Sequence, residues 1–267
     1  MEISFSKYQG TGNDFIIIDN RNSFFPKKNF RLVSLLCNRK FGIGADGLIL
    51  LENKKGFDFN MVYFNSNGKP GSMCGNGGRC IVAFAKKSGI LKNNYQFSAS
   101  DGPHEGFISS FDEKKENCIV SLKMRDVNNI KKNKDHFILN TGSPHYVKFV
   151  KNLQAFDVQK EAVKIRYNRI FSEKGINVNF IEVIKNNIFI RTYERGVENE
   201  TLSCGTGMTA AAICSSLSED FKPVINKKII SLGGETKIEF KRTKKDFFFD
   251  IRLVGPANFV FSGKIRI

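Results

Sequence analysis

Two short segments of this chain carry the same reactive residue in the same setting. They are Cys74-Gly75-Asn76-Gly77 and Cys204-Gly205-Thr206-Gly207. Each follows a strand-like stretch and a glycine-rich turn. Each runs into a stretch rich in alanine and other small or apolar residues, 78–87 and 207–217, that reads as a helix. A cysteine at the head of a helix meets outward-pointing N–H groups and the positive end of the helix dipole. That setting lowers a thiol's pKa and also suits an anionic group such as a carboxylate. Taken alone, either loop is better read as structural, since buried cysteines and glycine turns are common. A pair at matching positions reads differently. A thiolate on one face of a tetrahedral carbon and a thiol on the other can remove a proton and return one from the opposite side. With no cofactor in the scheme, fixed amide dipoles at the carboxylate must stabilise the carbanion-like intermediate.

The remaining cysteines invite no such chemistry. Cys37 falls in a helical stretch over residues 30–39. Cys80 and Cys214 fall inside the two helices beyond the reactive loops, and Cys118 is expected just ahead of a strand. No cysteine pair has zinc-site spacing and no histidine stands at ligand distance in sequence, so no metal is expected. Gly42-Ile43-Gly44-Ala45-Asp46-Gly47 matches a dinucleotide-binding pattern by letter. It lies after a helix and before a strand, the reverse of what that fingerprint needs. Asn199-Glu200-Thr201 matches a glycosylation acceptor that is idle in a cytosolic chain.

The elements around the loops repeat. Gly10-Thr11-Gly12-Asn13-Asp14-Phe15 is echoed by Asn140-Thr141-Gly142-Ser143-Pro144-His145. Gly42-Ile43-Gly44 is echoed by Gly175-Ile176-Asn177, and the cysteine loops complete the series in the same order. Gly12 and Gly142, like Cys74 and Cys204, are 130 residues apart, and the middle pair is offset by 133. A period this long indicates two similar domains of ordinary size. The polar stretch Asp112-Glu113-Lys114-Lys115-Glu116-Asn117 reads as the turn at their boundary, near residues 110–117. Residues 15–19, 48–51, 60–64, 180–184, 188–193, 237–241 and 247–253 read as strands, being rich in β-branched and aromatic residues. The helices over 78–87, with Gly89 as a stop, and over 207–217 are apolar on most faces, which points to helices wrapped by strands. The fold class is therefore α/β and strand-rich.

Composition sets outer limits. The 267 residues are enough for one large or two average domains, and 41% hydrophobic content supports a packed core. No apolar run approaches the ~18–20 residues needed to cross a bilayer, and the first residues lack a signal-peptide core, so the cytosol is expected. The formal charge of +16 raises nucleic-acid binding as a class. The basic residues are mostly scattered lysines in a chain also rich in Asn, Ile and Phe, and clusters such as Lys131-Lys132-Asn133-Lys134 lack interleaved aromatics for base stacking. No nucleic-acid or membrane partner is expected.

Three motifs together resemble the diaminopimelate epimerase family: Gly10-Thr11-Gly12-Asn13-Asp14-Phe15, Cys74-Gly75-Asn76-Gly77-Gly78-Arg79-Cys80, and Tyr193-Glu194-Arg195-Gly196 nine residues ahead of Cys204-Gly205-Thr206-Gly207. The landmarks run in family order from about residue 3 to residue 263. The resemblance implies two similar, pseudo-symmetric domains, each a mixed, barrel-like sheet around a central helix. These are residues 1–112 completed by a returning C-terminal strand 257–267, and residues 113–256. It implies conversion of LL-2,6-diaminopimelate to the meso isomer by a two-base thiolate/thiol mechanism, with neither pyridoxal phosphate nor metal, in lysine and peptidoglycan synthesis. Cys74 and Cys204 would exchange the roles of proton acceptor and donor, while His145 and Glu194 would tune them respectively. Substrate contacts carried over are Asn13, Asn65, Gly75, Asn76, Asn177, Glu194, Arg195, Gly205 and Thr206. Without the resemblance, His145 reads as a turn residue, Glu194 as a surface ion-pair partner of Arg195, and the three asparagines as turn formers.

Two positions depart from the pattern. Gly47 stands where many members have Gln, and Ser143 where many have Asn. The contact at 47 is expected to be lost or replaced by water. A proline or hydroxyproline racemase-like isomerase on the same fold is the alternative, although the Glu194-Arg195 pair favours a substrate with a second charged end. Homodimerisation is left open.

Overall fold

The computed structural model describes residues 1–267. In chain order it forms β1 (Glu2–Gly10), β2 (Asn13–Asp19), α1 (Phe30–Cys37), β3 (Gly47–Glu52), β4 (Phe59–Asn65), α2 (Gly75–Lys87), β5 (Asn94–Ala99), β6 (Gly102–Asp112) and β7 (Asn117–Lys123). There follow β8 (Ile130–Lys132), β9 (His136–Asn140), β10 (Pro144–Phe149), a 3-10 turn (Leu153–Ala155) and α3 (Val158–Arg166). The chain ends with β11 (Asn177–Ile184), β12 (Asn187–Glu194), β13 (Asn199–Thr201), α4 (Gly205–Ser216), β14 (Val224–Ser231), β15 (Gly234–Arg242) and β16 (Phe248–Arg266). Strands dominate, as the residue types predict. No helix is long and apolar enough to cross a membrane.

The chain divides into two compact units, Met1–Leu122 with Gly255–Ile267, and Lys123–Val254. The polar stretch at 112–117 is thus not the division. It is the turn between β6 and β7, which pair antiparallel from Asp112–Asn117 onward, and the chain leaves the first unit only after β7. A polar β-turn and a domain linker have the same composition, so residue types alone do not separate them. Cys118, expected just ahead of a strand, lies inside β7.

In the first unit the strands follow the order β1-β2-β3-β4-β5-β6-β7-β16, and pairing of β1 with β16 closes the ring. The result is an eight-stranded barrel with α2 inside it. Residues Gly75 to Ala85 of α2 are all buried, with Arg79 at zero exposure. Such all-round burial follows from a sequence of glycine, alanine and aliphatic residues without a polar face. The helix ends at Ser88, and Gly89 follows at φ +90, a left-handed position that favours glycine. Outside the sheet, α1 covers a second cluster of Ile3, Ile16, Ile18, Leu32, Val33, Leu36, Leu48 and Leu50. β2 and β3 are therefore buried on both faces, which explains their unbroken apolar runs.

The second unit repeats the plan. Its strand order is β16-β15-β14-β12-β11-β10-β9-β8, with β13 on the edge of β12. Val127, just ahead of β8, bridges to Phe248 of β16. The parallel pairs β10–β11 and β12–β14 match β2–β3 and β4–β5 in the first unit. α4 takes the place of α2, with every residue from Gly207 to Ser216 buried. α3 packs outside on a cluster of Tyr146, Val158, Ala162, Val178, Phe180 and Tyr193.

Candidate active site

Both cysteines are helix caps rather than helix residues. Cys74 lies at φ −105, ψ 126, and Cys204 at φ −130, ψ 111, both extended. Their carbonyls accept the first helical bonds, from Gly78 N at 2.7 Å and from Met208 N at 2.8 Å. α2 begins at Gly75 and α4 at Gly205, three and two residues earlier than the residue pattern places them. That difference moves each sulfur onto the helix mouth, where the N–H groups of the first turn point outward. Neither first turn holds an acidic side chain, so the positive dipole ends stay uncompensated by the helices themselves. Each helix head can therefore seat a carboxylate beside a thiol.

Around Cys74 the partners are amides and buried polar groups. The thiol Sγ donates to Asn13 Oδ1 at 3.6 Å, and Asn76 Nδ2 reaches the same oxygen at 3.5 Å. Asn13 is held by its own Nδ2, which donates to Asp46 Oδ2 at 2.7 Å, so its carbonyl oxygen must face the sulfur. Asp46 and Asp14 share Arg39, at 2.8 and 2.7 Å, and Asp14 also binds Lys7 at 2.8 Å. Burial raises the Asp14 carboxyl, but hydrogen bonds from Arg39 and Lys7 outweigh it and hold the pKa at about 2. Below α2's first turn, Thr11 Oγ1 donates to Asn76 Oδ1 at 3.4 Å. Arg79 Nη2 in turn donates to Thr11 Oγ1 at 3.1 Å. The Arg79 guanidinium also donates to Gly75 O at 3.4 Å and, through Nε, to Pro256 O at 3.1 Å. Burial lowers its pKa, and this fully buried cation braces the cysteine loop and the C-terminal strand together. Asn65 ends β4, and its Nδ2 reaches Lys69 O at 3.5 Å.

Around Cys204 the partners form a directional chain. Thr192 Oγ1 donates to Asn179 Oδ1 at 3.0 Å, and Asn179 Nδ2 donates to Tyr146 O at 2.9 Å and to His145 Nδ1 at 3.0 Å. With Nδ1 accepting, the His145 proton sits on Nε2 and is donated to Thr206 Oγ1 at 2.9 Å. Thr206 Oγ1 and Cys204 Sγ then lie 3.4 Å apart, where the hydroxyl donates to a thiolate and can accept from a thiol. Burial, opposed by the Asn179 hydrogen bond and reinforced by the Arg195 charge, pushes the pKa of His145 down to about 3, so the ring is neutral. Thr206 is fixed further through its carbonyl, which accepts from Thr141 Oγ1 at 2.8 Å.

The other expected residues of this unit cluster at the ends of β11 and β12. Asn177 pairs with His145 across the parallel β10–β11 register, and its Oδ1 accepts from Arg195 N at 2.8 Å. Glu194 closes β12 and accepts from Thr201 Oγ1 at 2.6 Å. The exposed Arg195 guanidinium donates to Lys174 O at 2.9 Å. Motifs and spacing give no role in the site to Asn179, Thr192, Thr141, Arg79 or Asp46, although Thr141, Arg79 and Asp46 lie inside motifs quoted above. A buried Asn in the middle of an apolar strand, as Asn179 is in β11, is the one signal that points to the first of them.

Gly47 behaves differently from the expectation. A Cβ there would lie 2.5 Å from Tyr63 Cε2 and 2.9 Å from its hydroxyl oxygen. The space of a side chain at 47 is filled by a tyrosine, not left to solvent.

Comparison with known proteins identifies this arrangement. The fold is that of a group of solved structures that includes a phenazine biosynthesis protein, PhzF family, from Bacillus anthracis (TM-score 0.75, 14% identity, 100% of both chains). It also includes a probable proline racemase from Agrobacterium radiobacter (TM-score 0.66, 14% identity, 99% of this chain and 93% of that one). At such identities they establish the architecture alone. The family model for diaminopimelate epimerase matches residues 5–125 and 137–260, and the chain belongs to that family. Its relatives include the diaminopimelate epimerases of Flavobacterium psychrophilum, 51% identical over 261 residues (97% of this chain, 98% of that one), and of Chlorobaculum tepidum, 41% identical (97% and 99%).

Proposed function

We propose that this enzyme interconverts LL-2,6-diaminopimelate and its meso isomer by moving a proton between two cysteines. The observation that carries the reading is the repeated cap: in two units of one plan, a cysteine stands at the mouth of a buried helix with a fixed polar partner at its sulfur. Full-length relatives named diaminopimelate epimerase supply the substrate.

In this scheme a helix mouth holds the α-carboxylate, and its N–H groups stabilise the negative charge that develops as the Cα proton leaves. One sulfur, as thiolate, takes the proton, and the other, as thiol, delivers one to the opposite face. The roles reverse for the back reaction. By the resemblance His145 tunes Cys74 and Glu194 tunes Cys204, and the hydrogen-bond chain through Thr206 also couples His145 to Cys204. Asn13, Asn65, Gly75, Asn76, Asn177, Glu194, Arg195, Gly205 and Thr206 contact substrate, and Arg195 forms a two-pronged pair with the distal carboxylate. The chemistry uses no cofactor or metal. The product feeds lysine and peptidoglycan synthesis. A reducing cytosol, with no nucleic-acid partner, suits six cysteines that form no disulfide.

The test is exchange of the substrate α-proton with solvent deuterium, measured with LL-diaminopimelate and with L-proline side by side. Exchange and epimerisation of the first alone support the reading. Turnover of proline alone would replace it with the racemase alternative.

A further inference from the structure

We propose that Tyr63 is a substrate-positioning residue of the first unit. Its hydroxyl would bond a polar group of diaminopimelate at the end remote from the reacting carbon. The inference rests on the function proposed above and adds a residue to it.

Tyr63 is gripped along both ring edges by glycines. A Cβ at Gly71 would lie 2.6 Å from Cδ1 and from Cε1, and one at Gly47 would lie 2.5 Å from Cε2. Real Cβ atoms do not approach that closely, so the ring occupies a slot that exists only because both residues lack side chains. The Gly71 N–H also donates to the Tyr63 carbonyl at 2.9 Å, and the ring meets Phe15 edge-on, with centroids 6.1 Å apart. Backbone and ring are therefore both held.

The direction of the ring places its hydroxyl. In the β3–β4 register Tyr63 lies opposite Ile49, whereas Gly47 lies opposite Asn65. The tip of the ring nevertheless stands over Gly47, with the hydroxyl 2.9 Å from where that residue's Cβ would be. The side chain thus leans two residues along the sheet, toward the end of β4 that carries Asn65. Tyr63 and Asn65 share one face of the strand, the same face whose Met61 packs beneath Gly77 of α2. Asn65 Nδ2 lies 3.1 Å from the Gly71 Cβ position, beside the ring. The hydroxyl of this half-buried residue is in this way delivered next to Asn65, which the proposed function places against substrate. A phenol can donate to a carboxylate or accept from an ammonium group, the two groups that make the distal end of this substrate. It stands on the sheet wall and not on α2's first turn, so it addresses the part of the substrate away from the sulfur.

Tyr63→Phe keeps the ring in its slot and removes only the hydroxyl. The expected result is a KM for diaminopimelate about tenfold higher, with kcat within about twofold of the wild type and an unchanged melting temperature. That is the signature of a lost contact made equally in ground and transition states. Gly47→Ala should raise KM in the same way by displacing the ring, and should add little in the Tyr63→Phe background, where no hydroxyl remains to be displaced. A Tyr63→Phe KM within twofold of wild type would overturn the proposal. So would a fall in kcat at constant KM, or a loss that tracks the melting temperature. Wild-type enzyme that leaves diaminopimelate unchanged would instead sink the proposed function.

Discussion

The two cysteine loops share a backbone device and differ in everything that surrounds it. Cys74 is half-buried and donates to an asparagine oxygen whose orientation is set by Asp46, within a network of two carboxylates, Lys7 and Arg39. Cys204 is buried and shares a hydrogen bond with the Thr206 hydroxyl, in a chain of neutral groups that runs through a buried histidine. The glycine three residues after each cap differs in the same sense. A Cβ at Gly77 would meet flexible apolar tips, Ile49 Cδ1 at 3.1 Å and Met61 Cε at 3.3 Å, whereas one at Gly207 would lie 2.5 Å from Asn179 Oδ1. The two units share the cap, which both halves of the proposed proton transfer use, while their polar shells differ. One loop is thereby held by charge and the other by hydrogen-bond direction.

The largest effect should abolish the comparison altogether. Cys74→Ala and Cys204→Ala are each expected to lower epimerisation by at least about 10³-fold, in the range of a lost positioned acid or base. Full turnover of either variant in a coupled assay would reject the two-cysteine scheme. Next, Gly207→Ala should destabilise its unit by about 2–3 kcal/mol through overpacking against a locked amide, and Gly77→Ala by about 1 kcal/mol or less, because a methionine and an isoleucine tip can give way. Chemical denaturation of the two variants reads the difference, and equal costs would mean that the Asn179 chain is not rigid.

A subtler change separates the sulfurs. Thr206→Val removes the hydroxyl at nearly constant volume, and should raise the pKa of Cys204 by about one unit, equivalent to about 1.4 kcal/mol. It should leave Cys74 untouched, and Thr206→Ser should restore the original value. The pH dependence of iodoacetamide alkylation at each cysteine, followed by peptide mass mapping, checks this. A shift at both sites would show that the loops are not independent.

The smallest effect concerns His145. Its pKa is near 3 in the folded chain, against about 6.5 when unfolded. Between those values the unfolded state binds the extra proton, so stability falls as pH drops below about 6.5 and the loss is complete only near 3. Thermal unfolding should shift down by about 2–4 °C between pH 6.5 and 5.5. The His145→Asn variant should show a shallower slope over that window. An identical slope would place the titration elsewhere.

Much of the site is legible in the order of the residues. The two caps, the repeat that pairs them and the strand-rich class follow from residue types and spacing, because glycine, cysteine and small helix formers have few other uses in that order. The same pattern starts α2 and α4 three and two residues late, since glycine's low helix propensity reads as turn until burial against the sheet overrides it. The turn at 112–117 misleads for a related reason: polar residues mark a reversal of chain direction without saying whether the next strand joins the same barrel.

Sequence by itself therefore determined which atoms could react and that they come as a pair, for these are properties of side-chain type and covalent spacing. Only the tertiary structure decided what each sulfur faces, which way His145 carries its proton, and that Tyr63 fills the space beside Gly47. Those outcomes depend on register between strands distant in the chain, where a shift of one residue turns every side chain to the other face.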